Sequence, residues 1–190
     1  MKKMSNIIMS ITLLAVLVLV GCSGSDSPSS PAPAKVVTSF LDAIKNSDFE
    51  KAIQYTGNQD GDFLNNEEEL PVFAQELFSK FTYSNVTEFI DGDTAYVGAD
   101  ITTVNMSTVM AEIIGEMIGY AFSGLPDEQI ETMTEDLFRE RINASDALMT
   151  TGSIEFELVK TDSQWIITPN DGLANVLTGG LIDYLEGMVF

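Results

Sequence analysis

Twice along the chain the apolar residues stop recurring every third or fourth position and recur every second one. Val86 to Ile90, the turn Asp91-Gly92-Asp93 and Thr94 to Val104 predict one β-hairpin. Ser153 to Lys160, the turn Thr161-Asp162-Ser163 and Gln164 to Thr168 predict another, in which Ile154, Phe156 and Leu158 alternate with Ser153, Glu155 and Glu157. A strand with a single apolar face must lay that face on another layer, and everything around these hairpins is spaced as helix. The pattern therefore requires helices packed on an antiparallel sheet, an α+β fold.

The helical segments are read in turn. Val37, Phe40, Leu41 and Ile44 fall on one face of a helix starting near Lys35. Ser47 with Glu50 fits a capping box for a second helix, through Tyr55, that Gly57 ends. Glu67 to Phe81 predicts a third, with Pro71 in its first turn. Between the hairpins, Met106 to Phe122 carries the apolar run Met106, Val109, Met110, Ile113, Ile114, Met117, Ile118 and Phe122, and Pro126 opens a partner helix to Ile142. Asp171 to Met188 predicts one last helix, kinked or closely packed at Gly179-Gly180. Phe40, Ile44, Phe156, Leu158 and Trp165 are expected to share one buried cluster.

Composition narrows the chemistry. The 190 residues hold 9 Lys and Arg against 29 Asp and Glu, one Cys and no His, for a net charge of −20. Without an imidazole there is no Ser-His-Asp or Cys-His catalysis, and a Cys/His zinc site lacks ligands. A single cysteine forms no internal disulfide. The negative charge repels phosphate backbones, which excludes nucleic acid as a partner. Ser-x-x-Lys, the spacing of a serine–lysine nucleophile, does not occur.

Residues 1–21 have the layout of a secretory signal, with Lys2-Lys3 followed by an apolar run ending at Val20. Leu19-Val20-Gly21-Cys22 resembles the lipobox of bacterial lipoproteins. The resemblance implies diacylglycerol on the Cys22 sulfur, cleavage that leaves Cys22 as the first residue, palmitate as the kind of acyl chain, and attachment to the outer face of a bacterial cell membrane. Residues 22–34, rich in Ser and Pro, then form a tether, and 35–190 a single domain. Without residues 1–21 the net charge becomes −22, so the domain is expected to stand off anionic lipid.

Val36 to Ala52, with the late hairpin ending Asp162-Ser163-Gln164-Trp165-Ile166-Ile167, resembles the opening helices and closing strands of the nuclear-transport-factor-2-like, cystatin-like cone family. That resemblance implies N-terminal helices on a curved, cone-like antiparallel sheet. The helices at 106–142 stand outside the minimal cone as an insertion. The family includes both enzymes and binding modules, so fold does not settle function. Enzymes of the family place a Tyr or an Asp/His pair in the cone. With no His, Tyr55, Tyr83, Tyr96, Tyr120 and buried carboxylates such as Asp100 are the candidates for such acid–base work, and no motif selects one of them.

One further stretch has metal-like spacing. Asn58, Asp60, Asp62, Asn66 and Glu69 occupy liganding slots of an EF-hand loop, but Phe63 stands where the turn glycine belongs. The favoured reading is a solvated acidic loop entering a helix N-terminus, with no metal. Met106–Phe122 does not span a membrane, since Glu112 and Glu116 would each cost about 3 kcal/mol at mid-bilayer. It is read as core, with a lid or partner-binding helix as the other use. Trp165 is read as core, with a ligand platform as the alternative. The function expected is a non-enzymatic, lipid-anchored binding or interaction domain without a cofactor, its partner an envelope protein or a small apolar ligand. The alternatives are a cone enzyme using Tyr or carboxylate groups and a structural calcium module.

Overall fold

The computed structural model describes residues 31–57, 73–168 and 171–188. In chain order these form α1 (Pro33–Lys45), α2 (Phe49–Tyr55), α3 (Ala74–Lys80), β1 (Thr82–Asp91), β2 (Thr94–Val104), α4 (Met106–Ala121), α5 (Asp127–Asn143), β3 (Met149–Thr161), β4 (Gln164–Ile167), α6 (Asp171–Leu177) and α7 (Leu181–Glu186). The strands make one antiparallel sheet, curved and open, in the order β1-β2-β3-β4. This is the α+β arrangement the hairpins required, with α4 and α5 inserted between them.

Alternation gives the sheet two unlike faces. Ala95, Val97, Ala99 and Ile101 of β2, Ile154, Phe156 and Leu158 of β3, and Trp165 and Ile167 of β4 are buried on one side. Against them lies the apolar stripe of α1, and Phe40 meets Phe156 edge to face with ring centroids 6.2 Å apart. Phe40, Ile44, Phe156, Leu158 and Trp165 do belong to one cluster. Trp165 is 7% exposed, with Lys160 Nζ 5.4 Å above its ring, so it is core and not a platform. The concave face is thereby filled along most of its length by protein side chains.

Several boundaries differ from the sequence reading, each for a local reason. α1 starts at Pro33, inside the segment read as tether, because a proline fits the helix start and Glu88 Oε2 of β1 accepts from the Ala34 N–H at 2.9 Å. The cap of α2 is Asp48, whose side chain accepts from the Lys51 N–H, and not Ser47, which takes φ 56° in the connecting turn. β1 begins at Thr82, four residues early, since a bulge hides the alternation. Ser84 pairs with Asp100 and Thr87 with Gly98, leaving Asn85 and Val86 opposite Ala99 with Asn85 at φ 52°. Only the end of the helix predicted over 67–81 is described, and Phe81 leaves it in extended conformation.

The last helix is two. Gly179 at φ 59° and Gly180 at φ 84° break it between α6 and α7. The Gly180 N–H donates to Asn175 O at 2.9 Å and the Gly179 N–H to Val176 O at 3.2 Å, the pair of bonds that ends a helix in a Schellman turn. Asn175 then caps α7, accepting from the Asp183 N–H at 3.1 Å while its amide donates to Asp183 Oδ2 at 2.7 Å. The glycines are a left-handed turn, not a kink.

The inserted helices have a core of their own: Val104, Met106, Val109 and Ile113 pack with Leu77, Phe138 and Ile142, and Phe73 stacks on Phe138 at 4.4 Å. The chain's two arginines, both on α5, pin this unit. Arg141 meets Glu116 at 2.9 Å and Glu112 at 3.4 Å on α4, and Arg139 meets Glu76 of α3 at 3.5 Å.

Candidate functional site

The candidate site lies at the Val104 end of the sheet. There the start of α4, the first residues of β3 and the α6–α7 turn surround a groove of about 490 Å³. Three segments far apart in sequence build it: Asn105, Ser107, Thr108 and Ala111; Thr150, Thr151 and Gly152; Asn175, Val176, Gly179, Gly180 and Tyr184.

The walls are held by contacts that small residues permit. A Cβ on Gly179 would run into the carbonyl of Val104, so only glycine lets the turn lie against the end of β2. Ser107 Oγ donates to Gly180 O at 2.8 Å and ties α4 to the same turn. On the opposite wall a Cβ on Gly152 would come within 3.2 Å of Val176 Cγ1. Asn105 Oδ1 accepts from the Thr108 N–H at 3.1 Å and caps α4. What remains for a ligand is the Asn105 amide nitrogen and the hydroxyls of Thr108, Thr150 and Tyr184, which make no hydrogen bond among the described residues. Thr103, cross-strand neighbour of Thr150, is fully buried with its hydroxyl also unpaired.

Among the described residues no charged side chain lines this groove, in a protein of net charge −20. The arrangement can hold a molecule through neutral hydrogen bonds and contact with Val176, Ala111 and the Tyr184 ring. It has no nucleophile–base pair.

The residues singled out for acid–base work are not brought together. Tyr83 faces the inner side beside α1 and donates to Asp42 Oδ1 at 2.8 Å. Burial, and then the Asp42 hydrogen bond and charge, push its phenol up. Asp100 lies on the opposite face of the sheet. It accepts from Asn85 Nδ2 at 2.7 Å and Ser153 Oγ at 2.6 Å, and these bonds hold its carboxyl below the usual range. A carboxylate stabilised in this way is a poor general acid. Tyr55 packs at the main core, Tyr96 lies on the outer face, and Tyr120 is on α4. Cys22 and the loop residues Asn58, Asp60, Asp62, Asn66 and Glu69 lie outside the described residues.

Sequence reasoning missed the groove, because none of its three segments carries a reactive motif. The available signals were Thr150-Thr151-Gly152, which the sequence reading left ahead of its strand at Ser153 and which form the start of β3, and the Gly179-Gly180 pair.

Fold and groove together define an α+β domain with a filled concave sheet and an uncharged recess at one end. No family model matches the chain, and comparison with curated proteins found no match. Among solved structures the chain is similar to a "putative lipoprotein (ycdA)" from Bacillus subtilis, at 16% identity and a TM-score of 0.42, over 90% of this chain and 54% of that one. It spans about half the length of that protein. Among the described residues no helix is long and apolar enough to cross a membrane.

Proposed function

We propose that the chain is a lipid-anchored, extracytoplasmic binding domain. Diacylglycerol on Cys22 holds it to the outer face of a bacterial membrane, and its groove takes an uncharged, hydrogen-bonding ligand. The cone-like sheet supports the nuclear-transport-factor-2-like reading. One observation carries the ligand class: among the described residues the groove offers four neutral groups without a partner and no ionic one, on a domain whose other surfaces are rich in carboxylate. An ionic ligand would find no countercharge there, whereas a neutral ligand would leave no groove charge unpaired.

The anchor is tested by Cys22→Ala, which should abolish incorporation of labelled fatty acid in the producing cell; continued labelling would overturn the lipobox reading. The ligand class is tested by titrating the detergent-solubilised protein with short neutral oligosaccharides and uncharged peptides beside anionic versions. Neutral compounds should shift the melting temperature, and Thr150→Ala with Tyr184→Ala should remove the shift. Binding that survives both substitutions, or that is confined to the anionic compounds, would refute the assignment.

A further inference from the structure

We infer that the ligand is an extended, uncharged peptide, which adds to the sheet as a strand along the open edge of β3, beside the groove. This rests on the binding reading above and names the class of ligand. The observation is a long strand with a short neighbour. β2 pairs with β3 without interruption from Val159 back to Met149, whereas β4 pairs only with Leu158 to Thr161. Main-chain groups point alternately to the two sides of a strand, and two bonds fix the phase. The Lys160 N–H donates to Asp93 O at 2.8 Å on the β2 side, and Glu157 O accepts from the Thr168 N–H at 2.8 Å on the β4 side. The odd-numbered residues of β3 therefore turn their N–H and C=O away from β2. At Met149, Thr151 and Ser153 no described residue pairs with those groups.

The edge is clear, and it meets the groove. Thr151 Oγ1 lies 2.7 Å from Thr102 Oγ1 and Ser153 Oγ donates to Asp100 Oδ1 at 2.6 Å, so both side chains are tied across to β2 and neither stands over the edge. Sheet edges are ordinarily guarded by a bulge, a charge or a proline. The β1 edge has the bulge at Asn85 and Val86 and the Glu88 side chain bonded to the start of α1. Met149 to Ser153 has none of the three. Thr150 and Gly152 share the inner face with Ile154 and Thr151 belongs to the outer one, yet all three line the groove, so it runs along this edge. Donors and acceptors that repeat at every second residue, about 6.6 Å apart, match another strand, which selects a peptide among neutral ligands. Charge selects against a second copy of the chain, because Glu155 and Glu157 continue the same strand and two domains of net charge −20 would be brought side by side. Five extended residues, about 17 Å, span the edge.

The test is amide hydrogen exchange, read by NMR on the detergent-solubilised full chain, with the blocked pentapeptide acetyl-Thr-Val-Ser-Val-Thr-amide as probe. Without peptide, the Thr151 and Ser153 amides should exchange at least about tenfold faster than those of Gly152 and Ile154, which bond to β2. Peptide should slow the first pair at least about tenfold. The same peptide N-methylated at all five residues keeps its side chains but loses the donors, and should bind at least about tenfold more weakly. Thr151→Pro removes an edge donor and no bond to β2, and should abolish binding that Thr151→Ala retains. Should the proline variant not fold, the methylated peptide still decides, since it leaves the protein unchanged. Amides already protected before peptide is added, by this chain or by a second copy, would overturn the inference, as would equal binding of the methylated peptide. A neutral oligosaccharide that binds until Thr150→Ala and Tyr184→Ala are made, with no binding of the peptide, would overturn it and leave the groove reading standing. Peptide protection of Thr151 and Ser153 that survives those two substitutions would uphold the added strand and refute the groove groups as its contacts.

Discussion

Replacing Gly179 by alanine should destabilise the protein more than any other single methyl group added to an exposed-looking helical segment. Two costs add at this position. Its φ of 59° is left-handed, which costs an L-residue about 1–2 kcal/mol. The new Cβ also overlaps the Val104 carbonyl, which is backbone at the end of a paired strand and cannot swing away as a side chain would. Overpacking of this kind costs about 1–3 kcal/mol, while the stiffer unfolded chain returns about 0.4–1 kcal/mol. The net loss is about 2–4 kcal/mol, out of the roughly 5–15 kcal/mol that hold a domain folded. With a urea slope of about 2 kcal/mol/M, the unfolding midpoint should fall by about 1–2 M. Two companions calibrate the reasoning. Gly180→Ala meets only the Ser107 hydroxyl, at 2.9 Å, and should cost less. Gly115→Ala, within α4 with open space around it, should raise the midpoint. If Gly179→Ala and Gly115→Ala shift the midpoint equally and in the same direction, the turn does not lie against β2, and the groove wall built on it is wrong.

Other expectations follow from single contacts. Trp165→Ala should cost about 3–5 kcal/mol in a denaturation experiment, since it empties a buried site lined by the main core; unchanged stability would place the ring at the surface. Thr103→Val should raise stability by about 1 kcal/mol, because it removes a buried hydroxyl that has no partner among the described residues; a loss would mean the hydroxyl is hydrogen-bonded in solution. Asn85→Ala or Ser153→Ala should move the Asp100 carboxyl upward in an NMR titration, since each deletes a bond to its ionised form. The sign for stability follows: Asp100 is depressed in the fold, so its contribution is present above the unfolded carboxylate range and lost as pH falls through the folded value. Neither variant should show that loss in full.

The parts of the fold that were legible are those where one local rule acts alone. Phe40 and Ile44 lie at helical spacing, and Ile154, Phe156 and Leu158 at strand spacing. Each set had only one face to bury, so their meeting in one core followed from period and topology. β2 was bounded correctly at both ends because a two-residue turn and an apolar helix flank it. Legibility failed where two rules compete. Asn85 adds a residue to β1, after which Thr82 to Ser84 fall out of step with Thr87 to Asp91, and the strand reads four residues short. Leu173, Leu177 and Leu181 keep a spacing of four straight across a left-handed turn, so periodicity reported one helix where glycine conformation makes two.

That second failure is also why the candidate site was invisible. Had α6 run on unbroken through residues 179 and 180, Asn175 could not cap a new helix start. Ser107 would have had no Gly180 carbonyl turned toward it, and Tyr184 would have continued along the α6 axis. The groove exists because a Schellman turn folds α7 back toward α4, and the turn closes because Gly179 can lie against Val104. The recess is also set apart by its chemistry. A chain with 29 carboxylates and no histidine leaves few places without charge, and the structure gathers hydroxyl and amide groups from residues 105–108, 150–151 and 184 into one of them. Because those groups are neutral, binding in the groove should depend weakly on salt; an affinity that falls steeply with ionic strength would mean that the carboxylates around the groove, and not the groups within it, do the recognising.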